Sequence, residues 1–276
     1  MASNLVVARG GIEYVPPISL SFWRWFLVFL ILLVFNFFYL KKNYPKIIKE
    51  FKKLFFLGSM GCGVCSVFPY LAGETTTIVN MGIIYTSSPI FIILLSSFIY
   101  KEKINLTQIL GLILCLFGVF SIISKGNISI LSNLDFTVGD IWMLGAAISW
   151  ALYSVYLLNW KSKFDLITRF VLIAMFGSIS LFPFYLFEEF QSQSTTFDLH
   201  FIFWVLFAAI SPAIIAFTLY AKVQRYLGAA ITGFTLYLFT VYGAFYGLVF
   251  FGETLKYFHL LGAFLVFTGV YLAKKN

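Results

Sequence analysis

The residues best suited to chemistry in this chain are polar groups that lie inside long apolar stretches. Most of them are tyrosines and tryptophans, whose rings carry a hydrogen-bonding tip. Small-molecule sites are commonly lined by aromatic side chains with a few hydroxyl, amide or charged groups. The candidates for a substrate cavity are Asn4, Arg24, Tyr70, Asn80, Tyr85, Ser88, Trp150, Tyr153, Tyr220, Thr232, Thr235, Tyr237 and Tyr242. Core packing or anchoring at the lipid interface is the alternative for each aromatic residue, since 35 phenylalanines show that packing alone uses many rings here.

Arg24 is the basic residue that lies deepest in an apolar stretch. It follows Pro17 by seven residues, which is roughly 10 Å along a helix. A basic side chain at the centre of a membrane span costs about 2.5–3.5 kcal/mol on insertion scales. Two roles remain open: Arg24 extends to the interface between Trp23 and Trp25 as an anchor, or it contacts substrate or a gate.

Enzymatic chemistry has little support. Catalysis needs a converging set of acids, bases, nucleophiles or metal ligands, yet His200 and His259 lie at the ends of apolar stretches, and no GxSxG or HExxH pattern occurs. Glu188 and Glu189 are interpreted as a solvated loop pair. We predict no enzyme activity, no metal and no cofactor. The chain also lacks a nucleotide-binding loop, which argues against ATP-driven transport.

Two prolines are candidate helix hinges. Pro89 removes one backbone hydrogen bond from its helix, and the hydroxyls of Ser87 and Ser88 can satisfy the freed groups. Ser211 and Pro212 offer the same combination on another apolar stretch. A role in gating and a role in packing both remain open.

The elements that must position these residues are transmembrane helices. Of the 276 residues, 61% are apolar and 11% are charged, whereas a soluble domain carries roughly a quarter charged residues. About nine stretches reach the roughly 17–25 residues that a helix needs to cross a bilayer. They are predicted at 18–40, 54–73, 77–100, 107–124, 138–158, 166–187, 201–221, 228–251 and 258–273. We predict an all-α integral membrane protein, because backbone groups in lipid must be hydrogen-bonded internally.

The net charge of +8 is explained by the membrane topology of the chain and does not indicate nucleic-acid binding. In a ten-helix plan with both ends in the cytoplasm, 15 of the 19 basic residues lie in cytoplasmic segments, as the positive-inside rule requires. These segments are 41–53, 101–106, 159–169, 222–227 and 274–276. We expect a multi-pass protein of the cell membrane with a cytoplasmic C-terminus. Its expected partners are a small-molecule substrate and the lipid bilayer, without nucleic acid, and the oligomeric state remains open.

A sequence pattern occurs twice, separated by 151 residues. It reads E-x8-G-x6-G-V and consists of Glu102, Gly111, Gly118 and Val119, then Glu253, Gly262, Gly269 and Val270. The pattern predicts a first repeat at 1–124, with helix 1 incomplete, and a second at 138–273. Five helices per repeat is an odd number, so the second copy enters the membrane from the opposite face. Each glutamate is expected to meet the positive end of the helix that follows it, and the glycines to permit close packing.

Four stretches resemble the EamA family of the drug/metabolite transporter superfamily, and the likeness covers essentially the whole chain. They are SNLVVARG followed by VPPISLSFWRW, IYTSSPIFIILLSSFIYKEKI, ISPAIIAFTLYAKVQRYLGAA, and FFGETLKYFHLLGAFLVFTGVYLA. The resemblance implies a ten-helix fold of two five-helix repeats, a central cavity and alternating access. This sequence departs from that plan in its short first helix, of which most is absent.

The leading functional hypothesis is a secondary transporter that exports a small metabolite or drug-like compound. The alternative is a non-transporting or degenerate membrane subunit, a truncated transporter copy, which the incomplete helix 1 favours.

Overall fold

The computed structural model describes residues 3–73, 75–76, 81, 84–124, 126–127, 137–191, 194–238, 241–242, 245, 249 and 256–274, with the backbone alone at positions 5, 8, 9, 191 and 274. The described residues form helices and turns, and they contain no strand. This confirms the all-α prediction, since a helix satisfies its backbone groups within one segment of chain.

Eleven α-helices lie within the described part of the chain. They are α1 (Ser3–Val6), α2 (Pro17–Lys42), α3 (Tyr44–Gly58), α4 (Cys65–Gly73), α5 (Ser88–Tyr100), α6 (Leu106–Ile123), α7 (Val138–Asn159), α8 (Leu166–Gln191), α9 (Leu199–Ala209), α10 (Ala216–Phe234) and α11 (Tyr257–Lys274). Three π-helical segments continue α1, α3 and α9, and a short 3-10 turn follows α10: Val7–Gly11, Ser59–Val64, Ile210–Ile215 and Thr235–Tyr237.

Six of the described helical stretches are long and apolar enough to cross a membrane: Pro17–Lys42, Tyr44–Ala72, Leu106–Ile123, Val138–Asn159, Leu166–Phe190 and Leu199–Tyr237. Shorter apolar helices occupy Ser88–Tyr100 and Tyr257–Ala273. The length and composition of these helices support a multi-pass membrane protein.

Two of the segments predicted to be cytoplasmic are helical. The segment 41–53 is helical except for Asn43, where α2 ends, and Pro45 occupies the first turn of α3, where its missing N–H costs nothing. The segment 222–227 continues α10 as far as Gly228, whose φ of 82° breaks the helix. Hydropathy does not reveal these helical turns, because it reports which residues enter lipid, whereas a helix also continues through charged residues.

The chain packs as two compact units. The first unit combines Ser3–Tyr70 with Tyr156–Lys222, and the second combines Leu71–Val155 with Val223–Asn276. The core of the first unit contains Val7, Val15, Leu20, Phe201, Val205 and Ala208. The core of the second contains Ile93, Cys115, Val119, Phe234, Tyr237, Val266 and Ala273. The units are defined by contacts and the repeats 1–124 and 138–273 by sequence similarity, so the repeat boundaries stay a prediction.

Within the second unit, the signature glycines hold α6 and α11 in close contact. A Cβ atom on Gly111 would lie 2.5 Å from the carbonyl oxygen of Gly269, and a Cβ on Gly269 would lie 2.5 Å from that of Gly111. Gly118 and Gly262 have the same reciprocal relation at 2.6 Å. Because Gly111 faces Gly269 and Gly118 faces Gly262, the two helices run antiparallel.

Within the first unit, Glu188 near the end of α8 caps the start of α2. Its carboxylate accepts hydrogen bonds from the N–H groups of Ile18 (2.9 Å) and Ser19 (2.6 Å) and from the Ser19 hydroxyl (2.7 Å). Glu189 accepts from the backbone and hydroxyl of Thr195. The solvated interpretation was wrong for Glu188, which is buried, because the first N–H groups of a helix have no internal partner and attract a carboxylate.

In the second unit, Glu102 does not cap the helix that follows it. Asn105 caps α6 by accepting from the N–H of Gln108. The Ser96 hydroxyl and the backbone N–H of Ala230 instead act on the Glu102 carboxylate to lower its pKa. Partial burial raises the pKa of Glu102 above its ordinary value, although the nearby Ser96 hydroxyl and Ala230 N–H partly oppose this shift. Asn105 therefore takes the capping position that was predicted for Glu102.

Candidate functional site

Arg24 is the centre of a buried polar group in the first unit. Its side chain is 5% exposed. Nη1 donates to Oδ1 of Asn4 at 2.7 Å, and Nη2 donates to the hydroxyl of Ser66. The alternative of an interfacial anchor was therefore wrong, because the guanidinium is held inside the protein and does not reach its surface.

Trp25 completes this group. Its indole N–H donates to the Ser66 hydroxyl at 2.9 Å, and its ring centre lies 4.8 Å from the Arg24 guanidinium carbon. The ring also packs edge-on against Phe217 at 4.8 Å. The cation thus rests between neutral oxygen acceptors and an aromatic face, an arrangement that attracts a cation electrostatically.

The sequence places these side chains on one face of α2. Ser21, Arg24, Trp25 and Val28 are all buried, and their spacing of three and four residues is that of one helix face. Ser21 donates to the backbone oxygen of Ser66 at 3.4 Å. The polar side of α2 therefore faces its own unit, and the phenylalanines near the end of α2 point outward.

Arg24 has no ion-pair partner among the described residues. The acidic residues of the first unit have other environments. Glu13 is exposed, and Glu50 accepts hydrogen bonds from Ser162 and Lys163. Asp165 and Asp198 accept from backbone N–H groups in the first turns of α8 and α9, and Glu188 and Glu189 accept the hydrogen bonds described above. The charge of Arg24 is consequently balanced by neutral dipoles alone within this part of the structure.

The other candidates in the first unit are Tyr70 and Tyr220, which are both buried. The hydroxyl of Tyr70 has no hydrogen-bond partner among the described residues. Tyr70 follows Ser66 by four residues in α4, so the two side chains share a helix face. The structure thus brings Asn4 and Arg24 together, and Tyr70 lies one helical turn after Ser66, which also binds Arg24.

Within the second unit, Trp150 and Tyr153 lie side by side on α7 with ring centres 5.3 Å apart. Both are almost fully buried, as is Tyr237, whose hydroxyl has no hydrogen-bond partner among the described residues. Tyr242 is 49% exposed. Exposure of that size fits a lipid-facing ring as well as a cavity wall.

The threonine hydroxyls of the second unit are used locally. Thr232 donates to the carbonyl of Gly228 at 2.6 Å, and Thr235 donates to that of Thr232 at 2.6 Å. Such bonds to the preceding turn are common for threonine in helices. Neither hydroxyl proton is free for a substrate in this conformation.

Pro89 lies in the first turn of α5, after a turn at Thr86 and Ser87. The hydroxyl of Ser88 donates to the carbonyl of Tyr85 at 2.7 Å, which is the carbonyl that Pro89 cannot reach without an N–H. The predicted span 77–100 is therefore interrupted here. Ser88 is buried and Tyr85 is half-buried, so this candidate pair forms part of the break.

Pro212 lies inside the π-helical segment that follows α9. A π-helical turn often marks a functional position because its bonding pattern departs from the regular helix. The Ser211 hydroxyl donates to the Ser3 hydroxyl at 2.9 Å, and so ties this segment to α1. Whether Pro89 or Pro212 acts as a hinge stays a prediction.

Two predicted residues, Asn80 and Glu253, lie outside the described residues. Sequence reasoning missed Ser66, although its spacing of four residues from Tyr70 was a usable signal. Within the described chain, no group of three metal-binding side chains occurs. Cys62, Cys65 and Cys115 form no disulfide bond with one another.

The chain matches a known family along its length. The EamA-like transporter family matches residues 1–124 and 137–274. An uncharacterized transporter of Archaeoglobus fulgidus is 27% identical over 275 residues, covering 98% of this chain and 92% of the relative. The uncharacterized transporter YoaV of Bacillus subtilis is 27% identical over 274 residues, covering 97% and 90%.

A protein of known crystal structure has the same fold. It aligns with a TM-score of 0.77 at 17% identity, covering 99% of this chain and 92% of the other. The names of the family and of these relatives point to transport rather than to catalysis. This chain belongs to the EamA-like transporter family and is a multi-pass membrane transporter.

Proposed function

We propose that the protein is a secondary transporter of the cell membrane that exports a small amphipathic metabolite by alternating access. Its two repeats, 1–124 and 138–273, have opposite orientations in the bilayer. Two similar, oppositely oriented halves can exchange inward-open and outward-open shapes at modest energetic cost.

The reciprocal packing of α6 against α11 carries this proposal. Gly111 and Gly262 are equivalent in the two signatures, as are Gly118 and Gly269. The contacts pair Gly111 with Gly269 and Gly118 with Gly262. If each residue is replaced by its equivalent in the other repeat, the contact between Gly111 and Gly269 becomes the contact between Gly262 and Gly118. The set of contacts is therefore unchanged when the two repeats are exchanged. This is the relation expected for two copies about a two-fold axis.

The thiol of Cys115 lies 3.6 Å from the carbonyl oxygen of Val266, and the separation between these residues equals the repeat shift of 151. A residue that contacts its own equivalent lies close to the symmetry axis. Because the two helices are antiparallel, the axis is perpendicular to them and parallel to the membrane plane. Two separate matches to the EamA-like family, at 1–124 and 137–274, give independent support.

Transport itself is tested by counterflow in proteoliposomes with a panel of amino acids, organic acids and amines, with and without a pH gradient. We expect flux of at least one compound without ATP. Tyr85→Ala, Tyr153→Ala and Tyr237→Ala are expected to reduce it, while Tyr271→Ala on the exposed side of α11 is the control. Folded protein that moves no compound would favour the non-transporting alternative.

The inverted orientation makes a second prediction. In a variant with Cys62, Cys65 and Cys115 replaced by alanine, single cysteines at Lys42, Lys103 and Lys256 report the membrane side through an impermeant maleimide. These three lysines are exposed. We expect Lys256→Cys to react in intact cells, and Lys42→Cys and Lys103→Cys only after permeabilisation. Reaction of Lys103→Cys and Lys256→Cys from the same side contradicts the inverted repeat.

A further inference from the structure

The buried cation of the first unit retains unused hydrogen-bond donors. The Nε of Arg24 is buried and has no partner among the described residues. Nε and Nη2 form one edge of the guanidinium, and on this edge only Nη2 has an acceptor, the Ser66 hydroxyl. Asn4 holds Nη1 on the other side at 2.7 Å, which orients the group and leaves the Nε edge available.

Two more donors lie on α4, the helix that carries Ser66. The Ser66 oxygen accepts from both Arg24 and Trp25, so its own proton remains for a further acceptor. The hydroxyl of Tyr70 is buried without a partner, one helical turn after Ser66. Buried polar groups are normally satisfied. Unused donors around a cation therefore indicate a ligand that supplies oxygen acceptors.

The charge of the cluster indicates the charge of the ligand. Arg24 carries one positive charge and has no ion-pair partner among the described residues. A monoanion would neutralise it, whereas a dianion would leave an uncompensated buried charge, which is unfavourable in a low-dielectric interior. The planar guanidinium also matches a carboxylate through two parallel hydrogen bonds.

The surroundings indicate the remainder of the ligand. Trp25 packs edge-on against Phe217 at 4.8 Å, and Phe170 and Phe217 stack at 5.8 Å. These rings offer apolar contact next to the donors. A carboxylate on an aromatic or aliphatic body fits both features.

We propose that Arg24, Ser66 and Tyr70 bind the carboxylate of an amphipathic monocarboxylate, with Asn4 orienting the guanidinium and Trp25 contacting the apolar body. The inference rests on the proposed function insofar as the bound compound is the one transported. Binding and flux are separate measurements, so each can fail alone.

Binding is tested on the purified full chain in detergent. The probes are benzoate, phenylacetate and hexanoate, their uncharged amides, and phenyl phosphate as a dianion. Dissociation constants come from calorimetry and from ligand-dependent thermal stabilisation. We expect the carboxylates to bind, and the amides and phenyl phosphate to bind at least tenfold more weakly.

The variants separate a binding role from a structural one. Arg24→Gln is expected to weaken carboxylate binding by about ten- to a hundredfold, as expected for hydrogen bonds to a charged group, and Arg24→Lys by less. Tyr70→Phe is expected to weaken it about three- to tenfold without lowering the unliganded melting temperature, since the hydroxyl has no partner to lose. Arg169→Lys is the control, because Arg169 is a buried basic residue that donates to the backbone oxygen of Leu157.

Several results would overturn the inference. They are equal binding of acids and amides, preference for phenyl phosphate, or unchanged affinity in Tyr70→Phe and Arg24→Lys. Flux of neutral compounds that Arg24→Lys leaves unaltered would retain the transporter and reject the carboxylate site. Carboxylate binding without flux would retain the site and reject the transporter.

Discussion

The substitution Gly269→Val is expected to destabilise the second unit by about 3 kcal/mol or more, which is the upper range for overpacking a core. The added Cβ would lie 2.5 Å from the backbone oxygen of Gly111 and 2.5 Å from the sulfur of Cys115. A backbone oxygen cannot rotate away, so α6 and α11 must separate. Loss of melting temperature and of monodisperse protein in detergent would measure the effect.

Gly233→Ala is the matched control for this substitution. Its Cβ would lie 3.4 Å from the side chain of Ile92, which is ordinary contact. Alanine also has the higher helix propensity, so the melting temperature should stay the same or rise. Equal losses in Gly269→Val and Gly233→Ala would mean that the close approach of α6 and α11 contributes nothing specific.

Glu188→Ala is expected to cost about 3 kcal/mol, because it removes the acceptor of three hydrogen bonds at the start of α2. The N–H groups of Ile18 and Ser19 would lose the carboxylate at 2.9 and 2.6 Å, and the first turn of a helix offers them no other partner. The effect should appear as a lower melting temperature and as faster proteolysis in the 194–198 segment.

Glu13→Ala is the control for Glu188→Ala. Glu13 lies in the turn before α2 and is exposed, so its removal should change stability by less than about 0.5 kcal/mol. If Glu188→Ala proved as mild as Glu13→Ala, the contact between α8 and the start of α2 would have no role in holding the first unit together.

The signature glycines show how far sequence reasoning could go. Their repeated spacing predicted close packing, and Gly111 and Gly118 do lie against Gly269 and Gly262. The sequence could not identify these pairs, because spacing within a helix fixes a face but not the helix that covers it. The contacts between α6 and α11 join residues more than a hundred positions apart.

Polar residues were harder to interpret. Arg24 was a candidate from its depth in an apolar stretch, but its partners Asn4 and Ser66 lie 20 and 42 residues away in sequence. Glu188 was misread because a carboxylate near a span end looks solvated until its partner, the start of α2, is known. Asn105, not Glu102, caps the helix that follows Glu102.

The sequence by itself determined that the chain crosses a membrane as several helices, because an apolar composition with short links leaves no soluble alternative. It also determined the helix faces, since helical periodicity is a local property. The tertiary structure decided which polar groups meet. A hydrogen bond such as that between Ser19 and Glu188, 169 residues apart, depends on how whole helices pack, and no local pattern contains that information.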